Sequence, residues 1–181
     1  MFDVDELVAS CQAAIDETEP VLAIRDVLER AVADQRAIAD ALPPERAEIV
    51  PLHVSDRLTV LKIVWAPGMV LGPHDHRMWA AIGLYSGGED NRFFRRADRS
   101  LITSGERSLR PGDVCLLGDD TVHSVTNPTA QWAGAIHVYG GDFFATPRSE
   151  WNGEPPTEAP FDIDRVLALF AAANEELAAG S

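Results

Sequence analysis

Apolar positions change their spacing along the chain, and the changes mark its elements. Over the first 42 residues they recur at helical intervals: Leu7, Val8, Cys11, Ala14 and Ile15, then Val21, Ile24, Val27, Leu28, Ala31 and Val32. Pro20 suits the first turn of a second helix, where its missing N–H costs nothing, and "LPPE" at 42–45 closes the helical stretch. From about residue 47 the pattern turns to short runs rich in β-branched and aromatic residues, bounded by turn signals: "RLTVLKIVWAPG", "WAAIGLYS", "NRFFRRA", "SLITSG", "RSLRPGDVCLLG", "TVHSVTN" and "QWAGAIHVYGG". Many short strands with no helical period between them predict an antiparallel sandwich or barrel rather than a parallel α/β sheet. A stretch rich in Pro, Gly and Glu, "SEWNGEPPTEAP", reads as a linker to a last helix. The expectation is one domain over 1–181: a helical N-terminal extension at 1–44, a β-barrel at 47–145 and a C-terminal helix at 160–179.

Composition narrows the classes of function. With 181 residues and 46% hydrophobic content the chain can bury a sizeable core. A formal net charge of −14 argues against a nucleic-acid backbone or an anionic membrane as partner, since both need clustered Lys and Arg. The one basic run, "RFFRR" at 92–96, reads as a solvated strand face. No apolar run approaches the roughly 18 residues of a membrane span. The first twenty residues are acidic and resemble neither a secretory signal nor a transit peptide, so a cytoplasmic protein is expected. Cys11 and Cys115 show no CxxC or disulfide spacing and are expected to be buried thiols.

The candidate chemistry lies in the histidines. There are five, His53, His74, His76, His123 and His137. On a strand, residues i and i+2 share a face, so His74 and His76 project together while Asp75 points away. Two imidazoles on one face can bind one metal ion. His53 has no such company and is expected to be peripheral.

The neighbours of these residues resemble the two-part signature of the cupin superfamily, small jelly-roll barrels that hold a metal inside. Gly68, His74 and His76 match the first half; Gly105, Pro111, Gly112, His123 and Asn127 match the second. The resemblance implies a double-stranded β-helix fold and a three-histidine metal site of His74, His76 and His123. One departure is informative. The signature's Glu, four or five residues after the second histidine, is replaced by Ala80 and Ala81. Three neutral imidazoles would leave a divalent ion its full charge, which favours anionic ligands from solution.

Within that superfamily, "PHDHRMWAAIG", "HSVTN" and "AIHVYGG" are similar to the thiol dioxygenases, the group of cysteine and 3-mercaptopropionate dioxygenase, over roughly residues 58–145. The resemblance implies an Fe(II) cofactor and the addition of both atoms of O2 to the sulfur of a small thiol, giving a sulfinic acid. It also implies that His137 and Tyr139 are catalytic, matching a Ser-x-His-x-Tyr element in which Ala135 replaces the Ser. In that role Tyr139 would donate a hydrogen bond to substrate or oxygen, oriented by His137. The position that carries a crosslinking Cys in some relatives corresponds to Ala81, so no Cys–Tyr crosslink is expected. The family holds a substrate carboxylate with an Arg; here Arg57, Arg77 and Arg92 are weak candidates. Met78 and Trp79 either shape the cavity or belong to the core. Two alternatives stay open: the same three histidines suit zinc and hydrolytic or lyase chemistry or another oxygenation, and a cupin can bind a metal or ligand without turnover.

Overall fold

The computed structural model describes residues 1–98 and 100–180. Three helices come first: α1 (Val4–Ala14), α2 (Pro20–Ala33) and α3 (Gln35–Ala41). Asp3 caps α1, its carboxylate accepting from the amides of Asp5 and Glu6. Pro20 occupies the first turn of α2. The helical stretch expected to run unbroken to residue 42 divides at Asp34, which leaves the helical conformation and uses its side chain to cap α3 through the Ala37 amide. The capping chemistry of a lone Asp inside an amphipathic pattern explains the break.

Strands follow: β1 (Glu48–Val54), β2 (Thr59–Trp65), β3 (Val70–Asp75), β4 (Ala80–Leu84), β5 (Glu89–Ala97), β6 (Ser100–Leu109), β7 (Val114–Leu117), β8 (Val122–Thr126), β9 (Ala133–Tyr139), β10 (Ser149–Asn152) and β11 (Thr157–Pro160); α4 (Ile163–Ala179) ends the chain. They form two sheets, in the orders β1-β2-β9-β4-β7 and β11-β10-β3-β8-β5-β6, and every pair is antiparallel. The two sheets face each other as a double-stranded β-helix. The stretch "SEWNGEPPTEAP", expected to be a linker, is the β10–β11 hairpin, and β10 extends the second sheet by pairing with β3 at Glu150 and His74. Its Pro and Gly residues build the hairpin turn rather than a flexible tether.

Period-two alternation sorts each central strand between two apolar layers. On β9, Ala133, Ala135 and Tyr139 face the barrel interior, whereas Ile136 and Val138 face outward. β2 and β4 behave alike, with Leu61, Ile63, Trp65, Ala80, Ile82 and Leu84 inward and Val60 and Ala81 outward. The outward residues are covered by α1–α3 through Leu7, Cys11, Ile24, Leu28 and Val32. That is why all seven residues of β2 and of β9 are buried. Gly83 lets α2 approach: a Cβ there would stand 3.0 Å from a Val32 methyl carbon. On the interior side, Val166 and Phe170 of α4 join the barrel core. Among the described residues no helix is long and apolar enough to cross a membrane.

Ile136, with no exposed surface, pins sheet to helices. Ile136→Ala is expected to lower unfolding free energy by about 2–5 kcal/mol, measured by urea titration. A loss under about 1 kcal/mol would mean that the helical layer is not part of the cooperative core.

Candidate metal centre

The histidines are brought together by the register of the second sheet. Pro73 cannot donate to a ladder, and the β3–β8 pairing slips between Leu71 and His74. Beyond this irregularity His74 lies directly opposite His123. His76 follows on the same face, and a left-handed Arg77 (φ 55°) then turns the chain out of the strand. The three rings stand 4.6–5.1 Å apart between centroids. One donor atom from each lies within 4.8 Å of the others, and all three side chains are buried.

The groups behind the rings decide which nitrogens face the centre. His74 Nδ1 lies 3.0 Å from the carbonyl of Gly72, which can only accept, so Nδ1 carries the hydrogen and Nε2 keeps its lone pair. His123 Nδ1 lies 2.7 Å from Asn91 Oδ1. The Asn91 amide is oriented in turn by its Nδ2, which donates to Glu89 Oε1 at 2.8 Å. His123 therefore also presents a bare Nε2, 3.5 Å from that of His76. Nitrogens each about 2.1 Å from one ion stand at much this separation. Lone pairs this close, in a dry interior, fit a shared cation. The three-histidine site can hold a metal ion.

His137 and Tyr139 project from β9 into the same interior. Tyr139 packs edge-on against His76, at 5.0 Å between centroids, and its hydroxyl lies 3.2 Å from His137 Nδ1. The enclosed space between all four buried histidines and Tyr139 is small, about 20 Å³, and is otherwise walled by apolar side chains that include Phe143, Phe161 and Val166. That is room for about one water-sized group. A larger hollow of about 620 Å³ between α1 and α2 is open and contains neither histidine nor cysteine.

The other expected residues fall elsewhere. His53 lies half-buried on β1, outside the cluster. Arg57 pairs with Asp16 at 2.7 Å and Arg92 with Glu106 at 2.7 Å, both at the surface. Arg77 pairs with Asp75 at 2.8 Å on the far side of β3, where Arg96 and the Ser149 amide also hold that carboxylate. None of these three arginines lines the histidine cavity. Met78 is a core residue and Trp79 packs over Gly140. Ala81 faces the helices, whereas the residue opposite Tyr139 is Ala80; both cysteines are free and buried. Asn127 is a structural clamp: its Nδ2 donates to the carbonyls of Trp65, Ala66 and Gln131 and its Oδ1 accepts from Thr129.

Two buried ionic groups stand behind the residues that line the cavity, without lining it themselves, and carry no sequence signal. Glu89, the first residue of β5, has no exposed surface. Arg148 sits between the rings of Phe143 and Phe161, at 4.0 and 4.1 Å, and its Nη1 donates to the Phe143 carbonyl. Its Nε and Nη2 are buried without a partner. Arg148 follows a Pro just ahead of the stretch read as a linker, and Glu89 follows a Gly-Gly turn, contexts in which charged residues are ordinarily solvated.

No protein-family model matches the chain. Among solved structures, the Bacillus halodurans protein BH2720 superposes with a TM-score of 0.51 at 19% identity, over 57% of this chain and 77% of its own. An RmlC-like cupin family protein with a double-stranded β-helix fold, from Methanocaldococcus jannaschii, gives 0.45 at 10% identity over 54% and 82%. Peruvianin-I, a cysteine peptidase from Thevetia peruviana latex, gives 0.41 at 20% identity over 47% and 51%, so the chain spans about half the length of that protein. The fold is a cupin barrel. At these identities the likeness concerns the fold alone, and the chemistry of the cupin interior has to be argued from its own residues.

Burial governs the protonation of this interior. It pulls His74 down to about 4 and His137 to about 3, and takes His76 and His123 well below the ordinary imidazole value. All four rings are neutral at pH 7, the state that binds a metal. Burial pushes Glu89 the other way, up to about 7, against the hydrogen bonds from Asn91 and Trp65. In the unfolded chain each of these histidines protonates near 6.5, so each removes stability as pH falls below that value. Glu89 is protonated near 7 when folded and near 4.5 when unfolded, so across that window it adds stability as pH falls. Four groups outweigh one. Chelator-treated protein is expected to melt at a lower temperature at pH 5 than at pH 7 by scanning calorimetry; an unchanged or higher Tm would show that the rings accept protons within the fold.

Proposed function

We propose that the protein is a mononuclear non-haem iron dioxygenase that oxidises a small, carboxylate-bearing thiol to a sulfinic acid with O2. The observation that carries the reading is the constellation inside the barrel: three buried imidazoles with converging ring nitrogens and no carboxylate among them, with the His137–Tyr139 pair against one of the rings. His74, His76 and His123 would hold the ion. A ferrous ion bound there would supply the Lewis acidity that favours a thiolate at neutral pH and the electrons that O2 activation requires.

The chain's own residues supply the rest. Arg148 is the carboxylate anchor in this reading. Its guanidinium keeps two buried donors unmet, and its charge acts on both His74 and His76. Burial lowers it only to about 10, so it stays cationic at neutral pH. Tyr139 and His137 share one proton position between the phenol oxygen and Nδ1, beside the reacting sulfur. The apolar wall excludes water, which strengthens each of these interactions and limits stray oxidation. The closed cavity has room for about one water-sized group, so a thiol of few atoms enters only as the apolar wall of Phe143 and Phe161, which flank Arg148, gives way.

The direct test is oxygen uptake by Fe(II)-loaded protein given cysteine, cysteamine and 3-mercaptopropionate. Thiol-dependent uptake with a sulfinate product, lost in His74→Ala, is the expected result; no uptake with any of the three at full iron loading sinks the reading. Arg148→Gln refines it. Losing a charge-assisted hydrogen bond is worth about 1.5–3 kcal/mol, so KM for 3-mercaptopropionate should rise roughly 10–100-fold. Cysteamine, which lacks a carboxylate, should be affected by less than about threefold; an equal effect on both would remove Arg148 from substrate binding.

A further inference from the structure

Glu89 is a costly group to keep where it is. Its carboxylate is fully buried, no lysine or arginine among the described residues pairs with it, and it stands in the apolar core of the barrel. Burying a carboxylate without a cation is unfavourable unless several donors converge on it. Here two do. Asn91 Nδ2 donates to Oε1 at 2.8 Å, Trp65 Nε1 donates to Oε2 at 3.1 Å, and His137 Nε2 faces the same Oε2 at 4.0 Å. Two of these groups lead to the centre. Asn91 holds His123, and His137 meets Tyr139. His137 Nε2 has no hydrogen-bond partner, Glu89 Oε2 being the carboxylate oxygen that faces it, and Ala135, two residues earlier on the same face of β9, offers no hydroxyl to satisfy it.

We propose that Glu89 is the positioning residue of this centre, one carboxylate that sets the ring tautomers of both His123, through Asn91, and His137. The consequence at His137 has a direction. With a carboxylate oxygen facing its Nε2 at 4.0 Å, the field of that oxygen favours the hydrogen there, so Nδ1 is an acceptor. Tyr139 then donates its hydroxyl hydrogen to His137 Nδ1 and turns oxygen lone pairs toward the cavity. This reverses the expectation that Tyr139 donates to the substrate: in the resting centre it accepts, and an incoming S–H is the natural donor. A hydroxyl at position 135, able to donate as well as accept, would not impose that direction. The link to thiol chemistry rests on the function proposed above; the hold of Glu89 on the two rings does not.

The test separates the two. In chelator-treated protein with 15N-labelled histidines, long-range 1H–15N correlation reads each ring tautomer, with His137 assigned by the signal lost in His137→Asn. Wild-type His137 is expected as the Nε2–H form, Glu89→Leu should convert it to Nδ1–H, and Glu89→Gln should retain Nε2–H because the amide oxygen still accepts. A wild-type ring found as Nδ1–H, or a folded Glu89→Leu protein with the His137 tautomer unchanged, overturns the proposal. The wild-type spectrum decides even if Glu89→Leu does not fold. In the Fe(II)-loaded enzyme, Glu89→Leu should lower kcat for 3-mercaptopropionate roughly 10–100-fold, the usual cost of losing a group that orients metal-site residues, with KM within about twofold. If the tautomers behave as expected but wild-type protein consumes no oxygen with any thiol, Glu89 keeps its role and the thiol reading fails.

Discussion

Four uncharged imidazoles share one small dry space, and the rest of the interior is arranged around the difficulty of keeping them there. A ring in that setting is neutral, and a partner for its N–H fixes which nitrogen is left bare. The Gly72 carbonyl does this for His74, available because the ladder is irregular beside Pro73. Asn91 does it for His123 and needs Glu89 to fix its own amide. At His74 and His123 the metal-facing lone pairs are thus a by-product of hydrogen bonds made on the far side of the ring, whereas His76 Nδ1 is buried without a partner. A barrel wall of Leu, Val and Ile could not hold three such rings with one orientation, since apolar packing does not distinguish the two ring nitrogens.

The outer layers serve the same end. β9 supplies His137 and Tyr139 from one face and Ile136 and Val138 from the other, so the strand can lie flat across the site only because α1–α3 cover its back. β2 is treated alike, and even Lys62 is drawn under the helical layer, where the Pro43 carbonyl and Glu48 take up its ammonium. Stability and site geometry are therefore coupled through two strands buried on both faces.

The legible part of the sequence was the part with a period. Alternation predicted that His74 and His76 share a face and that Ala135, His137 and Tyr139 share another; the turn signals predicted an antiparallel all-β core; helical spacing predicted α1, α2 and α4. Spacing alone could not bring His123 opposite His74, because that pairing depends on the slip at Pro73; the resemblance to the two-part cupin signature supplied it. What stayed illegible was aperiodic. Asp34 divides a helix by hydrogen-bonding its own backbone, and the β10–β11 hairpin hides in a composition that resembles a linker. Glu89 and Arg148 are charged residues in loop-like contexts, and nothing local says that they are buried. Their positions follow from tertiary contacts: Glu89 from two donors on β2 and β5, Arg148 from two phenyl rings eighteen residues apart.

The hairpin misread as a linker is also what closes the barrel. β10 pairs with β3 at the residue opposite His74, and the Ser149 amide donates to Asp75, the residue between the two β3 histidines. Glu150, next along, binds Arg165 of α4 through both carboxylate oxygens, at 3.1 and 2.5 Å, which fastens that helix over the interior. Around this closure the charges are matched: Asp75 with Arg77 and Arg96, Glu150 with Arg165. Arg148 lies in the same segment, buried, with two donors unmet. The Phe143 carbonyl and two phenyl rings hold this guanidinium in place, but they leave its Nε and Nη2 without the charge partner that its neighbours have. This arrangement is well explained if the missing partner is an anion that arrives with the substrate, so that the last charge pair of the barrel forms only when the cavity is filled.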